Sequence, residues 1–279
     1  MDPAYCQRHT FYRYWGKADL NYPGEPKWHP LVYHCLDVAA VAAAWWDESP
    51  VIRRTFIASF NWSERAANSL RAWVLFFVAL HDLGKFDIRF QLKALEALRL
   101  AWSELSLDDV DESLARNFDH GSAGYAWAMS ELGSWSEDDV DSLRDAWRPW
   151  IAAVAGHHGD LPSSMDRGGD YAEQHVMEHD RLARYALVSE LAGLFLASEG
   201  LGLQNSPPSC SSSAQAWLAG FCAVCDWVGS NTDPFPYRHL KPDTALAGYF
   251  DVTVRKIKSE GWLHRFGLLA QVSDYGGVN

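Results

Sequence analysis

The chain has 279 residues and a formal net charge of −12, with an isoelectric point near 5.3. That balance argues against a protein that grips nucleic acid through its overall field, since backbone binding draws on clustered Lys and Arg. A nucleic-acid substrate would need a local basic stripe, a metal-mediated phosphate contact or a partner that does the holding. The 48% hydrophobic content, with 14 Trp, is ample for a sizeable core. No apolar run approaches the ~18 residues of a membrane span, and residues 1–5 show no signal-peptide pattern. Five scattered Cys suit a reducing cytosol rather than a disulfide framework. The expectation is a cytoplasmic protein with no membrane association.

Hydrophobic spacing predicts helices over 31–46, 63–81, about 87–102, about 121–132, 137–155, roughly 171–198, 213–229 and about 244–260. The first is Ala-rich and apolar on more than one face. The second ends in His81-Asp82-Leu83-Gly84-Lys85, where Gly84 reads as a helix-ending residue tolerant of positive φ. Loops are expected at 17–30, 159–170 and 204–213. Period-2 alternation is nearly absent, so the fold class is all-α, and no stretch reads as a linker, so one globular domain covers 1–279.

Several conspicuous features have plain explanations. The acidic runs Asp108-Asp109-Val110-Asp111-Glu112 and Glu137-Asp138-Asp139-Val140-Asp141 each follow a serine and read as capped first helical turns. Cys222 and Cys225 lie inside an apolar helix and read as buried thiols. The tryptophans read as core, since no linear interleaving with basic residues suggests a stacking platform. His9, His175, His179, His239 and His264 sit in polar contexts and read as surface residues.

A second set resists such treatment: His34, His81, Asp82, His120, His157, His158 and Asp226, with His29 in reserve. Each sits at a helix end or on a helix beside small residues. His and Asp after the apolar run 73–80 demand partners, because burying polar groups without them is costly. Imidazoles and carboxylates together suit borderline divalent transition metals. Asp226 shares a stripe with Ala219, Cys222, Gly229 and Ser230, small residues that would leave room for an ion.

The segments YHCLDVAAVAAAWW, FFVALHDLGKFDIRFQ, NFDHGSAG, AGHHGDLP and LAGFCAVCDWVGSN, in this order, resemble the HD nuclease domain of the CRISPR-associated helicase–nuclease of type I systems, subtype I-E in particular, within the HD superfamily of metal-dependent phosphohydrolases. The resemblance runs from about Tyr5 to Phe250. In that family a superfamily 2 helicase usually follows the nuclease domain. This chain carries no Gly-x-x-x-x-Gly-Lys-Ser/Thr phosphate loop, so a helicase is expected as a partner in cis or in trans.

The resemblance implies two divalent ions, one on His34, His81, Asp82 and Asp226 and one on Asp82, His120, His157 and His158. Asp82 would be the bridge. Imidazole-rich coordination favours Mn, Fe, Co or Ni over Mg. The implied activity is cleavage of single-stranded DNA by two-metal-ion hydrolysis during CRISPR interference, after a guide-RNA surveillance complex opens the target. Lys85 would act at the scissile phosphate. Arg89 and Lys93, four and eight residues on, would form a basic stripe for flanking phosphates, and Ser230 would hydrogen-bond a phosphate or water. The rival readings are an HD phosphohydrolase acting on nucleotides or cyclic dinucleotides, and a non-catalytic docking module.

Overall fold

A computed structural model of the chain describes residues 10–102, 112–135, 140–163, 174–238 and 245–269. The acidic runs around 108–111 and 136–139, together with His9 and His239, lie outside the described residues, as does the side chain of His175. His179 and His264 are exposed, as expected.

The architecture is all-α. Helix α1 (Leu31–Glu48) is buried along almost its entire length, which explains a composition apolar on every side. Its alanines, Ala39, Ala40, Ala42, Ala43 and Ala44, are fully buried. Their small side chains let α3 (Ala67–Ala79), α9 (Ser212–Gly229) and α10 (Leu246–Ser259) pack around it. Helix α7 (Val140–Ala155) packs between α6 (His120–Trp135) and α9. Trp147 and Trp150 of α7 interlock with Phe77 at ring separations of 5.1 and 4.9 Å. The long α8 (Gln174–Phe195) lies across α3. Among the described residues, no helix is long and apolar enough to cross a membrane.

Three local readings need correction. The region 17–30 is not simply a loop: β1 (Trp15–Ala18) pairs antiparallel with β2 (Trp28–Pro30), setting Lys17 opposite His29. Helix α2 (Pro50–Ser59) went unread, although Ser49 followed by proline is a helix-start signal. The Ser49 hydroxyl accepts from the Ile52 N–H at 3.3 Å. The expected helix over 87–102 is broken into α4 (Ile88–Gln91), a 3₁₀ turn at Leu92–Ala94 and α5 (Leu95–Ala101).

The cause of that break is a buried polar framework. Asp87 caps α4 through the Arg89 N–H, binds the Arg89 side chain and accepts from Trp127 Nε1. Gln91 turns inward to exchange hydrogen bonds with the backbone of Trp15 and to reach the Lys85 carbonyl. From α8, Asp180 accepts from the Ile88 N–H and the Tyr14 hydroxyl, while Arg184 binds Glu131 and donates to Phe86 O at 2.6 Å. Buried charges like these are tolerable only when paired. Here the pairing fixes the turn after α3 from three sides.

Gly84 has a different reason from the one its sequence context suggests. It lies in the 3₁₀ turn Leu83–Lys85, and its φ is not positive. A Cβ at this position would run into His120 O and lie 2.6 Å from Gly124 N. The turn and α6 therefore meet backbone to backbone. The expected consequence is that Gly84→Ala forces the two apart at a cost of at least the ~1–3 kcal/mol typical of overpacking. Urea denaturation would read this as a lower midpoint, and a variant as stable as the parent would contradict the contact.

Candidate metal centre

One local device delivers two of the histidines. A helix end leaves its last carbonyls without partners. His81 stands just beyond α3 and its Nδ1 bonds Val78 O at 2.9 Å; His157 stands just beyond α7 and its Nδ1 bonds Val154 O at 2.6 Å. Each bond fixes the tautomer, leaving the Nε2 lone pair aimed away from the helix. The matching tetrapeptides Val78-Ala79-Leu80-His81 and Val154-Ala155-Gly156-His157 carry this signal in the sequence.

The seven candidates converge. His34, from the first turns of α1, places Nε2 3.0 Å from Asp82 Oδ2 and 3.3 Å from Asp226 Oδ1. His81 Nε2 lies 3.2 Å from Asp82 Oδ2 and 3.4 Å from His34 Nε2. On the other side His120 Nε2 lies 3.3 Å from Asp82 Oδ1, and His158 Nε2 lies 3.2 Å from His120 Nε2. His157 Nε2 is 3.7 Å from Asp226 Oδ2. The donor atoms form three overlapping groups: His34, His81 and Asp82; His120, His157 and His158; His81, His157 and Asp226. Within each, the atoms lie within 4.8 Å of one another.

Polar satisfaction fits metal ions. Asp82 is fully buried, yet neither carboxylate oxygen receives a well-formed hydrogen bond, and His157 Nε2 is also buried without a partner. Unsatisfied buried polar atoms are rare and need an explanation. Carboxylate oxygens and imidazole nitrogens aimed at one another are a cation donor set. The Lys85 ammonium, 2.6 Å from Asp82 Oδ2, supplies part of the missing positive charge.

A family model described as "Cas3, HD domain" matches residues 15–235. The chain belongs to the Cas3 HD domain family. It is 39% identical to the CRISPR-associated endonuclease/helicase Cas3 of Escherichia coli (strain K12), over 95% of this chain and 31% of that protein. It is 30% identical to the protein of the same name from Thermus thermophilus, over 80% of this chain and 22% of that protein. The chain thus spans less than a third of the curated relatives it matches. Among solved structures it resembles a CRISPR-associated protein at TM-score 0.70 and 25% identity, covering 100% of this chain and 29% of that one. The Thermus thermophilus cas3 HD domain, solved in the presence of Ni2+, shares the fold at TM-score 0.53 and 22% identity, covering 88% of this chain and 87% of that one.

Within this Cas3 HD domain the accessory residues sort unevenly. Lys85 sits at the cluster, held between Asp82 and Gly16 O. Arg89 is a correction: it is 1% exposed, paired with Asp87 at 2.8 Å and laid on the Phe118 ring, so it cannot hold a phosphate outside. The break after α4 also removes the helical register that would have aligned it with Lys93. Lys93 is exposed and donates to Phe118 O. The Ser230 hydroxyl donates to Asp226 Oδ1 at 3.0 Å, which orients the carboxylate. Gly229 does not make room for an ion; it lets α9 close on Val38 of α1, where a Cβ would lie 2.7 Å from Val38 Cγ2. His29 drops out of the reserve. Its Nδ1 accepts from the Arg238 N–H and its Nε2 donates to Asp37, so both nitrogens are occupied. Cys222 and Cys225 are free, buried thiols, and burial pushes both up.

Electrostatics separate the histidines. Burial alone would lower His81, but without a metal ion the Asp82 and Asp226 carboxylates outweigh it and raise the imidazole to about 9, so a bound cation would take the place of the Nε2 proton. Burial raises Asp82 and Asp226, yet the surrounding cations and imidazoles hold both well below the usual carboxylate range. Burial, helped by the charge on His81, lowers His157 to about 3. Burial, opposed by Asp37, lowers His29 to about 4. For His29 and His157 the unfolded chain takes up a proton near pH 6.5 that the folded chain refuses. Their contribution is therefore fully present above pH 6.5 and lost as pH falls towards 4, at about 1.4 kcal/mol per pH unit for each proton. His81 has the opposite sign: its contribution is present below pH 6.5 and lost as pH rises through about 9. Chelator-treated protein should lose stability between pH 6.5 and 4.5 in urea titrations, and His29→Gln should make that limb shallower. An acid limb unchanged in the variant would show that His29 does not titrate this way.

Proposed function

We propose that this chain is a metal-dependent nuclease domain that hydrolyses single-stranded DNA in CRISPR interference. The observation that carries the reading is Asp82, a fully buried carboxylate whose two oxygens face separate histidine groups, His34 and His81 on one side and His120 on the other, with Lys85 as its nearest cation. A carboxylate can span two ions ~3.5–4 Å apart; an imidazole cannot. We assign one ion to His34, His81, Asp82 and Asp226, and a second to Asp82, His120, His157 and His158. The imidazole-rich set favours Mn, Fe, Co or Ni over Mg, and Ni2+ accompanied the related Thermus thermophilus domain. Bound divalent ions supply Lewis acidity at a phosphate and make water acidic enough to attack near neutral pH.

The chain's own residues set up that chemistry. The backbone bonds of His81 and His157 hold their Nε2 atoms as acceptors. Ser230 fixes Asp226. Lys85 is the cation nearest Asp82; once cations occupy the carboxylate, its ammonium is available for the substrate phosphate or the leaving oxygen. The curated relatives are named endonuclease/helicase, which supports a helicase domain working with this one in cis or in trans. A guide-RNA complex would present the target. The net charge of −12 agrees with a domain that leaves most of the grip to others.

Metal analysis of chelator-free protein, paired with assays on single-stranded DNA, duplex DNA, nucleotides and cyclic dinucleotides, tests the reading. Cleavage confined to the nucleotides would favour the phosphohydrolase alternative. Asp82→Ala should lose both ions and more than the roughly 10–100-fold in activity that a mere supporting partner costs. Persistent cleavage in that variant, with contaminating nuclease excluded, would refute the bridge. Lys85→Ala should retain both ions and lower kcat more than it raises KM, as expected for a contact made in the transition state; a pure rise in KM would assign it to binding instead.

A further inference from the structure

Two stretches distant in sequence, residues 15–29 and 229–238, build a second feature beside the centre. β1 delivers Lys17, whose Nζ donates to Gly229 O at 2.9 Å, next to Ser230 at the end of the helix that carries Asp226. The first two residues of the strand are tied down. Trp15 exchanges hydrogen bonds with Gln91, and Lys85 reaches Gly16 O. The Lys17 ammonium lies 6.0 Å from the centroid of Tyr237. Tyr237 stacks on Tyr22 at 4.4 Å and 23°, and lies nearly parallel to His29 at 6.1 Å and 21°. His29 is itself fixed by Asp37 and the Arg238 N–H.

A core pair in the same molecule shows what simple packing looks like. Tyr33 and Tyr249 stack at 4.2 Å, both are buried, and the Tyr249 hydroxyl is satisfied by Asp37. Tyr22 and Tyr237 instead sit partly exposed, in loops outside the helices and strands. Gly229 O uses one of the three N–H donors on the Lys17 ammonium. A cation beside partly exposed aromatic rings is the combination that holds single-stranded nucleic acid, a phosphate on the ammonium and a base on the ring. The full combination arises only when the fold brings Tyr237 against Lys17 and Tyr22.

We propose that Lys17, Tyr22 and Tyr237 form the subsite for a nucleotide flanking the scissile phosphate of a single-stranded substrate. Lys17 holds the backbone phosphate nearest Asp226, and the tyrosine stack takes the neighbouring base. This deepens the nuclease reading and rests on it for its substrate.

The test is equilibrium binding of a fluorescein-labelled single-stranded oligodeoxynucleotide to the chelator-treated, full 279-residue chain, read by anisotropy across a salt series. Replacing Tyr22 and Tyr237 together by Leu should weaken binding roughly tenfold or more, while replacing both by Phe should preserve it, since stacking on the ring is what is lost. Lys17→Met should lower the salt slope by about one, and Lys17→Arg should restore it. If the Leu variant binds with unchanged affinity, and only its melting temperature falls, the stack is packing and the proposal is overturned. A parent chain that binds no single strand without metal overturns it as well, even if metal-dependent cleavage leaves the nuclease reading standing. Tyrosine-dependent binding without metal-dependent cleavage would uphold the subsite and remove the nuclease reading.

Discussion

The rest of this fold depends on keeping the Asp82 carboxylate ionised while it is shielded from bulk solvent. An isolated buried charge costs several kcal/mol even after relaxation, a large share of the 5–15 kcal/mol that holds a domain folded. The chain offsets this with Lys85 three residues on, with the neighbouring His81 and with imidazoles from two other elements, His34 of α1 and His120 of α6. Because their reach is short, those elements must come very close. Gly84 and Gly124 let the turn and α6 touch backbone to backbone, and Gly229 lets α9 settle on α1. The glycines and the ligands are two sides of one requirement.

Around that cluster lies a second layer of buried polar residues, none of which is among the clustered candidate ligands. Arg184 with Glu131, Asp180 with Tyr14 and Ile88, and Asp87 with Arg89 and Trp127 are buried and well paired. Breaking one partner of such a pair leaves an uncompensated charge inside, so the layer is stiff. Its hydrogen bonds land on residues 86–91, immediately after Lys85. α8 thus reaches the centre through the backbone of the turn, and none of its described side chains is among the clustered candidate ligands.

Much of this was legible in the sequence, and the failures have identifiable causes. The helices over 31–46 and 213–229 were readable because a continuous apolar face leaves no alternative to burial, and the seven ligand candidates stood out as polar residues at the ends of apolar runs. Arg89 and Lys93 misled because their four-residue spacing has meaning only on an unbroken helix. Asp87, a residue that prefers caps to helix interiors, starts α4 instead and draws Arg89 inward. The short strands at Trp15–Ala18 and Trp28–Pro30 carry no period-2 signal; they are held by Gln91 and by packing, which no local pattern records. Gly84 was noticed for the wrong property. Its need is space, and space depends on α6, which begins 36 residues later.

His29 and His34 show how far residue type alone can be trusted. They lie five residues apart, His29 on β2 and His34 on α1, both fully buried, and both face a carboxylate about 3.0 Å away. Burial and proximity to Asp do not separate them; the second nitrogen does. In His29 it accepts from a backbone N–H, which commits the ring to the neutral form with its proton on the Asp37 side and leaves no lone pair for a cation. In His81 and His157 the second nitrogen donates to a carbonyl instead, which turns the remaining lone pair towards the cluster. In His34 the second nitrogen, Nδ1, has no partner, so nothing commits that ring; a backbone donor thus marks the structural histidine, and a backbone acceptor fixes two of the ligands. The acceptor case is the one a sequence can announce, because the carbonyl belongs to the helix end three residues before.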